Sequence, residues 1–132
     1  MATEVRFSDL DVNGHVNHAA YLAYAEAARI HHLASLGLSP TRLVEFDRAV
    51  VVLRLEIDYR GELALSDSLV ATSRYEFEDG RRSFLNDGQV IGNGNVVAQL
   101  RLVLGLMDLS ERRLIDEPGA ALEVLHQRTT GA

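Results

Sequence analysis

The chain predicts an α+β fold: one long helix, then four long antiparallel strands. Three observations carry this. The stretch 19–36 holds seven alanines between positions 19 and 34, and alanine has the highest helix propensity. From residue 49 onward the pattern changes to β-branched residues with a period of two, the mark of strands. The dipeptides Asp79-Gly80 and Asn93-Gly94 fall between strand candidates, where two-residue hairpin turns form. One Ala-rich helix and one large sheet pack best with the sheet wrapped around the helix.

Val5-Arg6-Phe7 reads as a short strand leading into a polar loop at 9–17. The helix follows from Ala19 to Leu36, with Asn17 as N-cap, Gly37 as the residue past its end and Pro40 soon after. On an ideal wheel Ala19, Ala23, Ala27, Ile30, Leu33 and Ala34 share one face, the expected buried one. Glu26 falls in the middle of that face, so burial there calls for an arginine partner. Residues 37–47 read as a loop. Strands are expected at 49–59, 67–78, 81–91 and 96–107, with Gly88 marking a bulge. Residues 109–115 read as a ragged strand end or final turn, and Arg128 to Ala132 as a frayed terminus. A sheet of about five strands leaves open edges, which edge-to-edge dimerisation covers.

Length and composition bound the function. A chain of 132 residues is expected to form one domain, 1–132. It has no cysteine, which excludes disulfides, thiolate zinc sites and a cysteine nucleophile. All 13 basic residues are arginine, so a Schiff-base lysine is excluded too. The net charge of −6 argues against nucleic acid as a partner. No apolar run approaches the ~18 residues that span a bilayer, and the expectation is of no basic leader and no h-region. A soluble, cytoplasmic protein with no membrane partner is the expectation.

Chemical potential concentrates in one stretch. Asp9, Asp11, Asn13, His15, Asn17 and His18 lie within ten positions, in a turn-rich loop that runs into the helix. Asp11 can serve as base or nucleophile, or close an Asx-turn. Asp9 reads as structural, ending the first strand. Asn13-Gly14 is a turn dipeptide and Asn17 a cap. His15 and His18 suit proton transfer or hydrogen bonding better than metal binding, so no metal or cofactor is expected. The first N–H groups of the helix are unpaired and can polarise a carbonyl oxygen. His31 and His32 read as surface residues near the helix end. Arg81-Arg82-Ser83 is either a solvated hairpin end or a phosphate grip.

The segment Phe7–Arg29 carries Gly-His-Val-Asn-His-Ala-x-Tyr-Leu-x-Tyr-x-Glu-x-Ala-Arg after an Asp-rich loop. It resembles the hotdog-fold thioesterases, in the 4-hydroxybenzoyl-CoA and acyl-CoA thioesterase branch. The resemblance implies a hotdog fold, with a curved antiparallel sheet around one central helix, assembled as a homodimer or homotetramer. It implies that Asp11 is the catalytic carboxylate and that the backbone N–H at His18 polarises the thioester carbonyl. Ser-Asp-Leu-Asp-Val-Asn-Gly-His-Val-Asn is also similar to the acyl-acyl-carrier-protein thioesterase motif, which implicates Asp11, Asn13 and His15. A further acidic residue of those enzymes matches Glu62 through a gapped alignment. Arg82-Ser83-Phe84 is similar to a strand that lies near the CoA, so Arg82 and Ser83 join Glu62 as substrate-binding candidates.

The implied reaction is hydrolysis of an acyl-CoA or acyl-carrier-protein thioester, without cofactor. A pantetheine thiol, with a pKa near that of cysteine at about 8.5, leaves without a strong general acid. Two other readings share the loop. One is a hotdog hydratase or dehydratase, whose Asp-x-Asn-Pro-x-His arrangement differs from Asn13 and His15, two apart without proline. The other is a non-catalytic acyl-CoA-binding module.

Overall fold

The computed structural model describes residues 1–131; Ala132, at the end of the expected frayed terminus, lies outside the described residues. The elements run β1 (Ala2–Glu4), α1 (His18–Ser35), α2 (Pro40–Glu45), β2 (Arg48–Tyr59), β3 (Ser68–Ala71), β4 (Arg74–Glu76), β5 (Ser83–Gly92), β6 (Asn95–Asp108), β7 (Arg113–Leu114) and α3 (Pro118–Thr129). The sheet has seven strands, with the path β1-β3-β5-β6-β2; β4 pairs with β5 and β7 with β6. The main path therefore has the five strands expected. No helix among the described residues is long and apolar enough to cross a membrane.

The chain divides into two compact units. The first comprises Met1–Arg29, Glu56–Arg74 and Asp87–Arg101. Its N-terminal strand differs from the expectation. β1 ends at Glu4, and Phe7–Asp9 coil into a 3-10 turn, because the Asp9 carboxylate accepts the Arg6 N–H at 2.9 Å. Val5 still behaves as strand: it is buried and its N–H reaches the Asp67 carbonyl at 2.9 Å. β1 and β3 pair antiparallel with Thr3 opposite Leu69, and β3 pairs with β5 with Val70 opposite Ile91.

The expected strand 67–78 is broken after Ala71. Here the Thr72 hydroxyl takes the Gln89 N–H at 3.0 Å, and the ladder loses its regular step. Gly88 marks no bulge. Burial alternates strictly along all of β5, from Phe84 to Gly92. The residue serves close approach instead, since a Cβ there would lie 3.2 Å from the Thr72 carbonyl and 3.7 Å from Ala25. Asn93 and Gly94, with φ of 53° and 79°, form the predicted two-residue turn between β5 and β6.

α1 begins where predicted, with the Asn17 side chain accepting the Ala19 N–H at 2.9 Å. Its buried face is not the alanine stripe. In the first unit the buried residues are Tyr21, Tyr24, Ala25, Ala28 and Arg29, while Ala19, Ala23, Glu26 and Ala27 are not buried. Two tyrosines offer far more apolar area than alanines, so their side of the helix turns inward. Glu26 accordingly needs no buried partner.

The second unit comprises Ile30–Leu55, Tyr75–Asn86 and the stretch from Leu102 on. α1 ends in the Schellman pattern, with Gly37 at φ +77°, its N–H on the Ala34 carbonyl (3.0 Å) and the Leu38 N–H on Leu33 (2.9 Å). The region expected as a loop contains α2, started by Pro40 and capped by Ser39, which accepts the Arg42 N–H at 3.2 Å. Residues 77–82 form a longer connection than the two-residue hairpin expected at Asp79-Gly80. Residues 109–112 turn the end of β6 back into β7, where Met107 pairs with Leu114.

The terminus is not frayed up to Thr129. α3 buries Pro118, Leu122 and Leu125, which recur at helical spacing. His126 Nδ1 lies 2.8 Å from the Leu36 carbonyl, and the Glu117 carboxylate accepts the Gly80 N–H at 2.6 Å. Gly37 is the hinge of this docking, because a Cβ on it would sit 2.5 Å from Thr129 Oγ1. Gly37→Ala therefore meets both a left-handed backbone cost and a clash with α3. The expected loss is about 2–3 kcal/mol, read as a lower urea midpoint at unchanged slope.

Candidate active site

Every part of this site belongs to the first unit. Residues 9–17 form a small hairpin that ends at the start of α1. Its base is the Asn17 N–H on the Asp9 carbonyl at 2.8 Å, followed by the Leu10–Val16 bridge and the Asp11 N–H on the His15 carbonyl at 2.8 Å. Gly14, at φ +77°, supplies the left-handed residue that lets so short a loop close. The Asp11 side chain completes an Asx-turn: Oδ1 accepts the Asn13 N–H at 2.8 Å and, more weakly, the His15 N–H at 3.4 Å. The structural reading of Asp11 and the chemical one are thus compatible. One oxygen orients the carboxylate, and Oδ2 has no hydrogen-bond partner among the described residues.

The segment after β2 lies beside the hairpin. His15 bridges to Ala64, and the Val16 N–H donates to the Leu63 carbonyl at 3.0 Å. This register brings Glu62 to His15, with 3.5 Å between Oε2 and Nε2. Asp11, Asn13, His15, His18 and Glu62, all candidates from the sequence, line one open cleft of about 480 Å³, together with Tyr21, Tyr59 and Gly61.

The start of α1 leaves one backbone N–H unpaired. Asn17 caps the Ala19 N–H and its carbonyl accepts that of Ala20, whereas the His18 N–H has no partner among the described residues. A free N–H at a helix N-terminus is suited to a developing negative charge on oxygen. The Tyr59 hydroxyl donates to the His18 carbonyl at 3.0 Å, which fixes the orientation of that first residue. Tyr21, 3% exposed, accepts the Leu63 N–H at 3.2 Å. Burial pushes its phenol pKa up, so it stays neutral at physiological pH. Tyr59 does not stand out in the sequence, where it reads as a strand end; Tyr21 stands in the quoted motif but has no role assigned to it there.

Asp9 is set apart from the cleft residues. It is 8% exposed and accepts the Tyr24 hydroxyl at 2.7 Å. Burial alone would raise its carboxyl pKa. The hydrogen bonds from the Arg6 N–H and from Tyr24, with the Arg6 guanidinium, outweigh that and hold it below the ordinary value. Burial and the neighbouring Asp9 charge push the Tyr24 phenol far up. The carboxylate keeps its charge above the usual carboxylate range, and the phenol keeps its proton beyond pH 10. The pair is therefore inert across the neutral range.

Arg82 and Ser83 belong to the second unit. There Arg82 Nε sits 2.6 Å from Asp116 Oδ1, in a cleft of about 310 Å³ shared with Arg113, Leu114 and Ile115. The sequence singled out neither Arg113 nor this pairing. Another concavity, about 530 Å³, includes Thr72, Asp87 and Arg101, but its Arg101 fork is closed on Asp87 at 2.7 and 2.9 Å.

The profile of the thioesterase-like superfamily matches residues 5–125. The long-chain acyl-CoA thioesterase FadM of Escherichia coli K12 is 34% identical over 127 residues, covering 94% of both chains. The acyl-CoA thioesterase YbgC of Haemophilus influenzae is 27% identical over 123 residues, covering 92% of this chain and 90% of its own. A thioesterase from Thermus thermophilus, solved with coenzyme A and zinc, superposes with a TM-score of 0.77 at 33% identity. That match covers 100% of this chain and 93% of the other. The chain belongs to the thioesterase-like superfamily, and it is a thioesterase of the hotdog fold.

Proposed function

We propose that this protein hydrolyses acyl-CoA thioesters, with Asp11 driving the attack and the His18 N–H receiving the oxyanion. The observation that carries the reading is the pairing of an oriented carboxylate, one oxygen unengaged, with an unpaired helix-start N–H in the same cleft. The activities named for the relatives agree with it.

In the reaction, Asp11 Oδ2 takes a proton from water and the hydroxide adds to the thioester carbon, or Oδ2 adds directly to give an anhydride that water then opens. The carbonyl oxygen gains charge against the His18 N–H. The tetrahedral centre collapses, the C–S bond breaks and the CoA thiolate leaves. Glu62 holds the His15 ring at the cleft wall, and Asn13 and His15 orient the attacking water. Arg82, with Ser83 beside it, stays a candidate for a CoA phosphate on the second unit alone, its Nε shared with Asp116 Oδ1 at 2.6 Å.

We further read the chain as one thioesterase domain that works as a homodimer. β2 has 12 residues, forms an edge of the sheet and exposes Val52 (51%), Leu53 (49%), Leu55 (37%) and Tyr59 (49%). A long apolar edge of this kind is a template for pairing with a second copy. Its last residue, Tyr59, lines the cleft, so the same strand serves interface and site.

Thiol release over a panel of acyl-CoA and acyl-carrier-protein thioesters tests the activity; no release from any member overturns it. Asp11→Asn should lower kcat by about 10²–10⁴-fold, and near-wild-type turnover would remove Asp11 from the mechanism. A single turnover in H₂¹⁸O that leaves ¹⁸O on Asp11 identifies an anhydride opened at the Asp11 carboxyl carbon; activated water, like an anhydride opened at the acyl carbon, labels only the product. Leu55→Glu, which charges the β2 edge, should convert a dimer to a monomer in light scattering and reduce turnover with it.

A further inference from the structure

The Asp9–Tyr24 pair is a buried polar contact beside the site, and the proposed chemistry does not use it. Asp9 sits two residues before Asp11. Tyr24 lies nearly two turns into α1, 6% exposed, about 9 Å along the axis from His18 at ~1.5 Å per residue. The 2.7 Å bond between them joins the base of the hairpin to the body of the helix. The same Asp9 accepts the Asn17 N–H with its backbone carbonyl and the Arg6 N–H with its side chain, at 2.8 and 2.9 Å.

A neutral turn residue could end the 3-10 turn at this point. The chain instead buries a charge there, which is stable only while its hydrogen bonds are made. The Arg6 guanidinium cannot hold it alone, being 3.4 Å away on a side chain that is 75% exposed. Among the described residues, Tyr24 supplies the one side-chain donor to Asp9 that is itself buried. Withdrawing that hydroxyl would favour drift of the carboxylate toward water, and the hairpin base would move with it. The rest of the hairpin closes on itself or on residues 63–64.

We propose that Asp9 and Tyr24 act as positioning residues: they peg the Asp11 hairpin in register over the first turn of α1. The inference rests on the proposed thioesterase reading for its catalytic consequence, but not for its structural one. An error of about 1 Å in a reacting group can cost up to ~10²-fold in rate. The substrate, bound by other parts of the protein, would be held nearly as well.

The test uses Tyr24→Phe in the full chain, with Asp9→Asn as a second variant that preserves shape. Two readouts are taken: amide hydrogen exchange by NMR, and kcat and KM for the best thioester of the panel. Tyr24→Phe should speed exchange at the Asp11 and Asn17 amides at least tenfold while leaving Ala28, further along α1, unchanged. It should lower kcat about tenfold with KM within twofold, and Asp9→Asn should repeat the pattern. Wild-type protection of the Asp11 and Asn17 amides in a folded variant would overturn the proposal, as would equal acceleration of all amides or a loss carried by KM alone. Should Tyr24→Phe fail to fold, Asp9→Asn decides by the same readouts. A wild-type chain inert to every thioester, with these amides still loosened in the variants, would sink the thioesterase reading and leave the peg standing.

Discussion

The Asn17 N–H closes the hairpin on the Asp9 carbonyl at 2.8 Å, while its side chain caps the Ala19 N–H at 2.9 Å. The amide between them, that of His18, is left over. The helix has more N–H groups at its start than one cap can satisfy, and here the surplus one belongs to a residue that lines the same cleft as Asp11. Loop closure and capping thus meet in one residue. A cap that reached one amide earlier would satisfy His18 and remove the donor. A loop one residue longer would shift Asp11 away from it.

The sequence carried the parts of this arrangement that depend on neighbours along the chain. The cap at Asn17, the left-handed Gly37 and the Asn93-Gly94 turn are local chemistry, and each is where local rules put it. The Asp11–His18 stretch was legible because turn, cap and polar residues fall within a few positions. What depends on tertiary packing was not legible. The buried face of α1 was misread because an ideal wheel ranks alanines and tyrosines alike as apolar, while burial is decided by how much area each withdraws from water. α3 was missed although Pro118, Leu122 and Leu125 carry helical spacing, since its docking through His126 and Glu117 is long-range. Glu62 entered only through a gapped alignment, and its contact with His15 had no sequence signal, because the bridge from His15 to Ala64 spans 49 positions of sequence. Tyr59 had no local signal at all.

Asp9 and Asp11 illustrate how two carboxylates of similar sequence context diverge. Asp9 is buried, triply hydrogen-bonded and fixed in charge across the neutral range. Asp11 is exposed to the cleft and bonded through one oxygen. Two residues of separation in a turn suffice to bury one and leave the other on the wall of the cleft. Sequence proximity therefore overstates how alike the members of such a cluster are.

β2 carries a further implication through its open apolar edge and the cleft residue at its end. When an interface strand also bounds a site, mass action enters the kinetics. If β2 pairs two copies as proposed, dilution below that dimer's dissociation constant uncovers the edge and Tyr59 in the same event. Specific activity would then fall with enzyme concentration rather than stay flat, and substrate that favours the closed assembly would draw it back together. Rates gathered at nanomolar and micromolar protein would describe two different species.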